Sequence, residues 1–280
     1  MAINIFPGSI NNDSKGFTLI ELLIAMAITG IVAGAIFTAF QSQQKSYLIQ
    51  DQITEMQQNL RAAMDIMVRE IRMAGYDPTQ SSGASISTNS TGIMIQVTMD
   101  INSDKDCSDS NENITYGFSN ANDANADGIA DAGAANLGRR NTGGGFQPIA
   151  ENIQAIGFAY AYDADGDDNL DTSAGGDIIW AVDTDGDGNW DNLDTDGDGD
   201  IDADDGPGIG NNGVINGTGT GTAVDTSQIR AVRIWILARV KRPDPDFVNT
   251  NTYIVGANVI TPNDGFRRRL LTSTVKCRNM

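Results

Sequence analysis

Histidine is absent from all 280 residues. Its absence removes Ser-His-Asp and Cys-His nucleophilic arrangements, together with His-ligated zinc or haem. Cations are scarce too: 18 Lys and Arg stand against 37 Asp and Glu, for a formal net charge of −19. The imbalance is local, because residues 163–205 hold 17 Asp and no Lys or Arg, while the rest of the chain is close to neutral. Such a field repels nucleic-acid phosphates and attracts divalent cations, so no nucleic-acid partner is expected. Cysteine is limited to Cys107 and Cys277. In an exported domain the pair is compatible with one disulfide, closing a loop of roughly 170 residues and stabilising by about 2 to 4 kcal/mol. Two unrelated thiols are the alternative. No carboxylate pair stands apart from the Asp-rich pattern, so no catalytic constellation and no enzyme is expected.

Charge is also missing from the N-terminal apolar run, where Glu21 is the only charged residue within 17–40. About 20 apolar residues in a helix suffice to cross a bilayer core. A secretory signal peptide has a shorter apolar core, cut on its far side after small residues. Here a polar leader, residues 1–16, precedes the run, and Gly16-Phe17 marks the junction. A carboxylate in an apolar span is costly and therefore a functional candidate. Cleavage after Gly16 would give Phe17 an α-amino cation four residues from Glu21. In a bundle, the amine of one chain and the carboxylate of its neighbour would neutralise each other and set axial register. An ordinary single-pass anchor with an incidental interfacial Glu is the plainer alternative.

Neither proline nor glycine occurs in residues 41–74, where Ile53, Met56, Leu60, Met64, Met67 and Ile71 recur at spacings of three and four. Gly75 and Pro78 supply a stop. One helix is expected, with residues 17–40 in membrane or filament core and an amphipathic continuation, 41–75, packed by its stripe. Gly30 and Gly34 form a small-xxx-small pair, suited to close helix approach or to a point where the helix stretches. Residues 76–280 read as a β-rich head with strands near 93–98, 113–118, 153–162, 229–240 and 270–276. In the fourth of these, Val232, Ile234, Ile236, Ala238 and Val240 alternate with Arg233, Trp235 and Arg239. The plan is α+β.

The string Gly16-Phe17-Thr18-Leu19-Ile20-Glu21-Leu22-Leu23 resembles the prepilin processing motif of the type IV pilin superfamily. The resemblance implies cleavage after Gly16 by the prepilin peptidase, an inner-membrane aspartic peptidase, and N-methylation of Phe17. Five further segments are similar to minor pilins of the PilW type. They are Glu55-Met56-Gln57-Gln58-Asn59-Leu60-Arg61-Ala62-Ala63-Met64, Arg69-Glu70-Ile71-Arg72-Met73-Ala74-Gly75-Tyr76-Asp77-Pro78, Glu112-Asn113-Ile114-Thr115-Tyr116, the run from Arg239 to Asp246, and the ending from Arg267-Arg268-Arg269-Leu270-Leu271 to Arg278-Asn279. The fold so implied is the type IV pilin fold: a long N-terminal α-helix on a mostly antiparallel β-sheet, here with an acidic calcium-loop insertion. The function implied is that of a minor pilin that primes or caps pilus assembly. Its partners would be major and minor pilins met through the N-terminal helix, the prepilin peptidase and the inner-membrane assembly platform. It would sit in the inner membrane as a single-pass protein before assembly, and in a periplasmic or extracellular pilus afterwards. Type II secretion pseudopilins share the N-terminal motif and stay open as an alternative, as does a calcium-dependent adhesin at the pilus tip.

The acidic insertion, residues 163–205, carries calcium-loop spacing. Asp183, Asp185, Asp187, Asp191 and Asp194 fall at positions 1, 3, 5, 9 and 12, with Gly188 at the sharp turn and the Asn189 carbonyl at position 7. Asp194, Asp196, Asp198, Asp200, Asp202 and Asp205 repeat the pattern around Gly199, sharing Asp194. Calcium takes many hard oxygens in a flexible loop, whereas zinc would want Cys or His, so Ca2+ is the expected cofactor. A solvated acidic linker is the alternative. Two weaker copies follow the odd positions. One is Asp163, Asp165, Asp167, Asn169 and Asp171, with Asp168 where glycine is wanted and Ala174 at the end. The other is Asp123, Asn125, Asp127 and Asp131, with Gly128 in place but Ala134 closing the loop. The run Arg267-Arg268-Arg269 reads as salt bridges or a solvated edge rather than a nucleic-acid contact.

Overall fold

The computed structural model describes residues 16–172, 176, 178–182, 191–192 and 226–280. The chain divides into two units, residues 1–50 and 51–280. Helix α1 (Leu19–Ile71) is one run of 53 residues. In the first unit its large apolar side chains, from Leu19 to Phe40, are exposed. Within the second unit it buries Met56, Leu60, Ala63, Met64, Met67 and Ile71 against the sheet's core, with Ile53 partly buried beside them. The stripe read from the sequence is therefore the packing face.

The helix ends sooner than Gly75 because its last turn tightens: Met73 N–H donates to Glu70 O (3.0 Å) and Ala74 N–H to Ile71 O (3.1 Å). Gly75 then takes φ 76° and gives its N–H to Thr98 O at 3.1 Å. A side chain there would also strike the C-terminus, since a Cβ would lie 2.6 Å from Met280 Cγ and 2.9 Å from Asn279 O. Both conformation and space demand glycine.

The head begins with an antiparallel meander: β1 (Ile95–Thr98), β2 (Asn113–Gly117), β3 (Ala135–Asn141) and β4 (Gln147–Tyr162). The two-residue strands β5 (Ala181–Val182) and β6 (Asp191–Asn192) pair with each other, and β5 continues onto β4 through Tyr160↔Ala181. On the other edge of β4 lies β7 (Ile229–Arg239). A separate hairpin, β8 (Tyr253–Val255) and β9 (Asn258–Ile260), precedes β10 (Arg268–Lys276), which pairs along β7. Strands β1, β2, β4, β7 and β10 fall where the sequence places strands. The 16-residue β4 starts earlier than expected, and β3, β5, β6 and the β8–β9 hairpin lie outside the strands expected from the sequence.

The alternation along β7 does not leave one face in solvent. Trp235 and Leu237 are as buried as Ile234 and Ile236, because the second face of the sheet is covered as well. Beside Trp235 part of the cover is backbone. Gly157 pairs with Trp235, so the two share a face, and a Cβ on Gly157 would lie 2.8 Å from Gly256 N and 3.0 Å from Val255 C. The turn of the β8–β9 hairpin thus rests directly on β4 at the one strand position without a side chain. The Arg233 guanidinium lies over the Trp180 ring at 4.3 Å, with Trp235 at 6.0 Å, which ties the start of β5 to β7.

The arginine run is structural. Arg268, with 1% of its side chain exposed, bonds both oxygens of Asp264 (2.5 and 2.7 Å) and Gln154 Oε1 (2.5 Å). Arg267 bonds Asp244 at 2.9 Å beneath the Phe247 ring, and Arg269 is exposed. The disulfide allowed by the sequence is not formed. Cys107 and Cys277 are free thiols: Cys107 donates to Ser82 O in the loop after β1, and Cys277 is buried where its N–H meets Arg230 O at the start of β7. Burial pushes the Cys277 thiol up to about 12.

Candidate functional sites

At the N-terminus the local sequence Thr18-Leu-Ile-Glu21 builds a capping box. Glu21 Oε2 accepts from the Thr18 N–H and from Thr18 Oγ1, both at 2.8 Å, while the Glu21 N–H donates to Thr18 Oγ1 at 3.3 Å. Glu21 therefore closes the first turn of its own helix as well as carrying the isolated charge. The T-x-x-E spacing is the sequence signal for this role, distinct from the isolated charge. Phe17 and Gly16 precede the helix and are exposed. Among the described residues one helix, α1, is long and apolar enough to cross a membrane.

The two weaker acidic loops fold alike. In the first, Asp123 accepts the N–H groups of Asp127 (3.1 Å) and Gly128 (2.9 Å), Asp131 accepts that of Ala124 (2.9 Å), and Asp127 accepts that of Ile129 (2.7 Å). In the second, Asp163 accepts the N–H groups of Asp167 and Asp168 (both 3.1 Å), Asp171 accepts that of Ala164 (3.2 Å), and Asp167 accepts that of Asn169 (2.8 Å). Position 1 thus holds the N–H groups of positions 5 and 6, position 9 holds that of position 2, and position 5 holds that of position 7. Gly128 takes φ 79°, and Asp168, the residue standing where glycine was wanted, takes φ 66°. Aspartate tolerates that region better than most side chains, so the departure in the second loop is conformationally mild.

The second loop also gathers its acids: oxygens of Asp163, Asp165 and Asp171 lie within 4.8 Å of one another. Asp163 is buried at the end of β4, with the Arg230 guanidinium at 4.0 Å. Burial, and then repulsion from Asp165, Asp163 and Asp167, holds the Asp171 carboxyl above its usual range against one bond from Ala164. An all-oxygen set of like charges drawn together suits a hard divalent cation. In the first loop Asp123 is buried and Asn125 donates to Asp127 Oδ2 at 2.8 Å. Of the two tandem loops, the backbone of Asp191 forms part of β6, opposite Val182. Asp183, Asp185, Asp187, Asn189, Asp194, Asp196, Asp198, Asp200, Asp202 and Asp205 lie outside the described residues.

Comparison with known families follows this layout. Residues 11–37 match the prokaryotic N-terminal methylation motif, residues 50–136 match prepilin peptidase-dependent protein B, and residues 132–279 match type IV pilus-assembly protein W. The last match covers more than half of the chain. The chain belongs to the type IV pilus-assembly protein W family. Its families are structural pilins rather than enzymes, and they imply processing by prepilin peptidase and pilin partners. With the N-terminal motif, the apolar helix points to membrane anchoring before assembly. Among solved structures, the type IV-like pilin TTHA1219 from Thermus thermophilus is similar at 15% identity, over 79% of this chain and 96% of that one, with a TM-score of 0.36. No curated protein matches.

Proposed function

We propose that this protein is a minor pilin that primes or caps the assembly of a type IV pilus. The carrying observation is the contrast within α1: residues 17–40 expose apolar side chains on all sides, whereas the helix beyond Ile53 is closed against its own head. An all-round apolar helix needs cover, first from lipid and then from neighbouring helices. After cleavage behind Gly16, the Phe17 amine of one subunit meets the Glu21 carboxylate of the next. Glu21 already accepts from Thr18, so the pairing reuses a carboxylate held at the helix start. Calcium is the cation proposed for the acidic loops. The like-folded loops at Asp123 and Asp163, and the drawn-together oxygens of Asp163, Asp165 and Asp171, support it.

A strain lacking the gene decides between the readings. Lost surface pili with normal protein secretion supports the minor pilin. Normal pili with secreted proteins trapped in the periplasm moves the protein to a type II secretion system. If both are normal and only attachment fails, the acidic insertion is the centre of its function, as in an adhesin. Restoration of pili by the parent gene but not by Glu21→Ala ties assembly to that carboxylate.

A further inference from the structure

The loop joining β1 to β2 shares much of the wiring of the two acidic loops, although its sequence misses their template. Its first acid holds the N–H groups of positions 4 and 6, as Asp163 holds those of Gly166 and Asp168, and its closing acid comes four residues later than theirs. Asp100 takes the place of Asp123 and Asp163. It is fully buried, accepts the Ser103 N–H at 2.6 Å with Oδ1, and accepts the Lys105 N–H at 3.2 Å with Oδ2. Asp104 accepts the Asp106 N–H at 3.1 Å, as Asp127 and Asp167 accept theirs two residues on. Lys105, the sixth residue counting from Asp100, takes φ 80°, beside 79° at Gly128 and 66° at Asp168. The closing acid is Glu112, whose Oε1 accepts the N–H groups of Ile101 (2.9 Å) and Asn102 (3.2 Å).

Glu112 supplies the observation that wiring alone cannot. Its side chain belongs to a residue only 2% exposed, and its second oxygen, Oε2, has no hydrogen-bond partner. A buried carboxylate oxygen left without a donor is costly, and calls for a partner. One Glu112 carboxylate oxygen lies within 4.8 Å of an oxygen from Asp104 and of one from Asp106. Two oxygens each about 2.3–2.6 Å from a calcium ion are at most about 5 Å apart, so the three fit one coordination sphere. Asp100, Asp104, Asp106, Asp109 and Glu112 carry the loop's negative charge, and Lys105 is its one cation. The Cys107 thiol is turned to Ser82 O at 3.9 Å, and the gathered donors are the carboxylate oxygens of Asp104, Asp106 and Glu112, so the cation they select is hard.

We propose that residues 100–112 form a calcium site, held by the carboxylates of Asp104, Asp106 and Glu112 and braced by Asp100. The site lies outside the acidic insertion and where the chain leaves α1. The Asp100 N–H donates to Tyr76 O at 2.7 Å, and Thr79 Oγ1 reaches Asp100 Oδ2 at 3.4 Å. Calcium here fastens the segment that leads from the helix into the sheet. It does so whatever apparatus the pilin serves.

Hydrogen exchange on the full chain in detergent micelles reads each loop separately. Calcium at about 1 mM, the range of extracellular modules, is compared with chelator. Amides of 101–112 should exchange at least about tenfold more slowly with calcium. Glu112→Gln keeps an oxygen for Ile101 and Asn102 and removes the charge, and Asp104→Asn changes an exposed side chain of the same shape. Each should abolish the effect at 101–112 while the calcium response of 163–172 stays as in the parent. If Glu112→Gln does not fold, judged by exchange in β1 and β2 without calcium, Asp104→Asn decides. No slowing in the parent, or the same slowing in the variants, overturns the site. Equal slowing by magnesium overturns its assignment to calcium.

Discussion

Replacing Glu70 with alanine should destabilise the head by about 3 kcal/mol, because one carboxylate near the end of α1 holds two partners from the sheet. Glu70 Oε2 accepts from the Tyr116 hydroxyl and from Arg139 Nε at 2.9 Å, and Oε1 accepts from Arg139 Nη2 at 3.1 Å. Tyr116 and Arg139 sit opposite each other on β2 and β3. Tyr116 is fully buried, so its hydroxyl would lose its acceptor in a dry place, a cost of about 1–3 kcal/mol. Arg139 keeps 19% of its side chain in solvent and retains Asn141, so its share is smaller, about 1 kcal/mol. Urea unfolding of the full chain in detergent, followed by tryptophan fluorescence, measures the sum. Tyr116→Phe completes a double-mutant cycle: with the hydroxyl gone, Glu70→Ala no longer orphans it, and the coupling should be about 1–2 kcal/mol. A loss under about 1 kcal/mol for Glu70→Ala, or strict additivity with Tyr116→Phe, refutes the reasoning.

Gly157→Ala should cost about 1–3 kcal/mol and speed amide exchange in β8 and β9, because its Cβ would sit 2.8 Å from the Gly256 backbone; unchanged exchange there would show that the hairpin does not rest on β4. Bonds from Arg268 hold the Asp264 carboxyl below its usual value, so its stabilisation is present above the unfolded value and fades as pH falls through the lower folded one. Asp264→Asn should therefore cost about 2 kcal/mol at neutral pH, with the gap to the parent closing below about pH 4 in urea midpoints; a gap independent of pH would remove the ion pair from the account.

What the sequence determined by itself is what depends on neighbours along the chain. The apolar run, the stripe from Ile53 to Ile71 and the strands with strong alternation are periodic signals, and each lies where its period puts it. The processing motif is likewise local, and so is the capping box around Glu21. Tertiary structure alone decided the rest. Strand β3 is Ala-Asn-Leu-Gly-Arg-Arg-Asn, poor in β-formers, and it becomes a strand because β2 and β4 pair with it on both edges. The buried second face of β7 depends on a hairpin that arrives well over a dozen residues later and docks on Gly157. Likewise, Cys107 and Cys277 stay apart because the chain carries one to the loop beside Ser82 and the other to the start of β7. The loop at residues 100–112 is the clearest case. A spacing template asks for glycine at its sixth position and an acid at its twelfth, and finds Lys105 and Asn111. The fold puts Lys105 at φ 80° and brings Glu112 back to the N–H groups of Ile101 and Asn102, so the carboxylates of the proposed site are brought together by the backbone and not by the spacing.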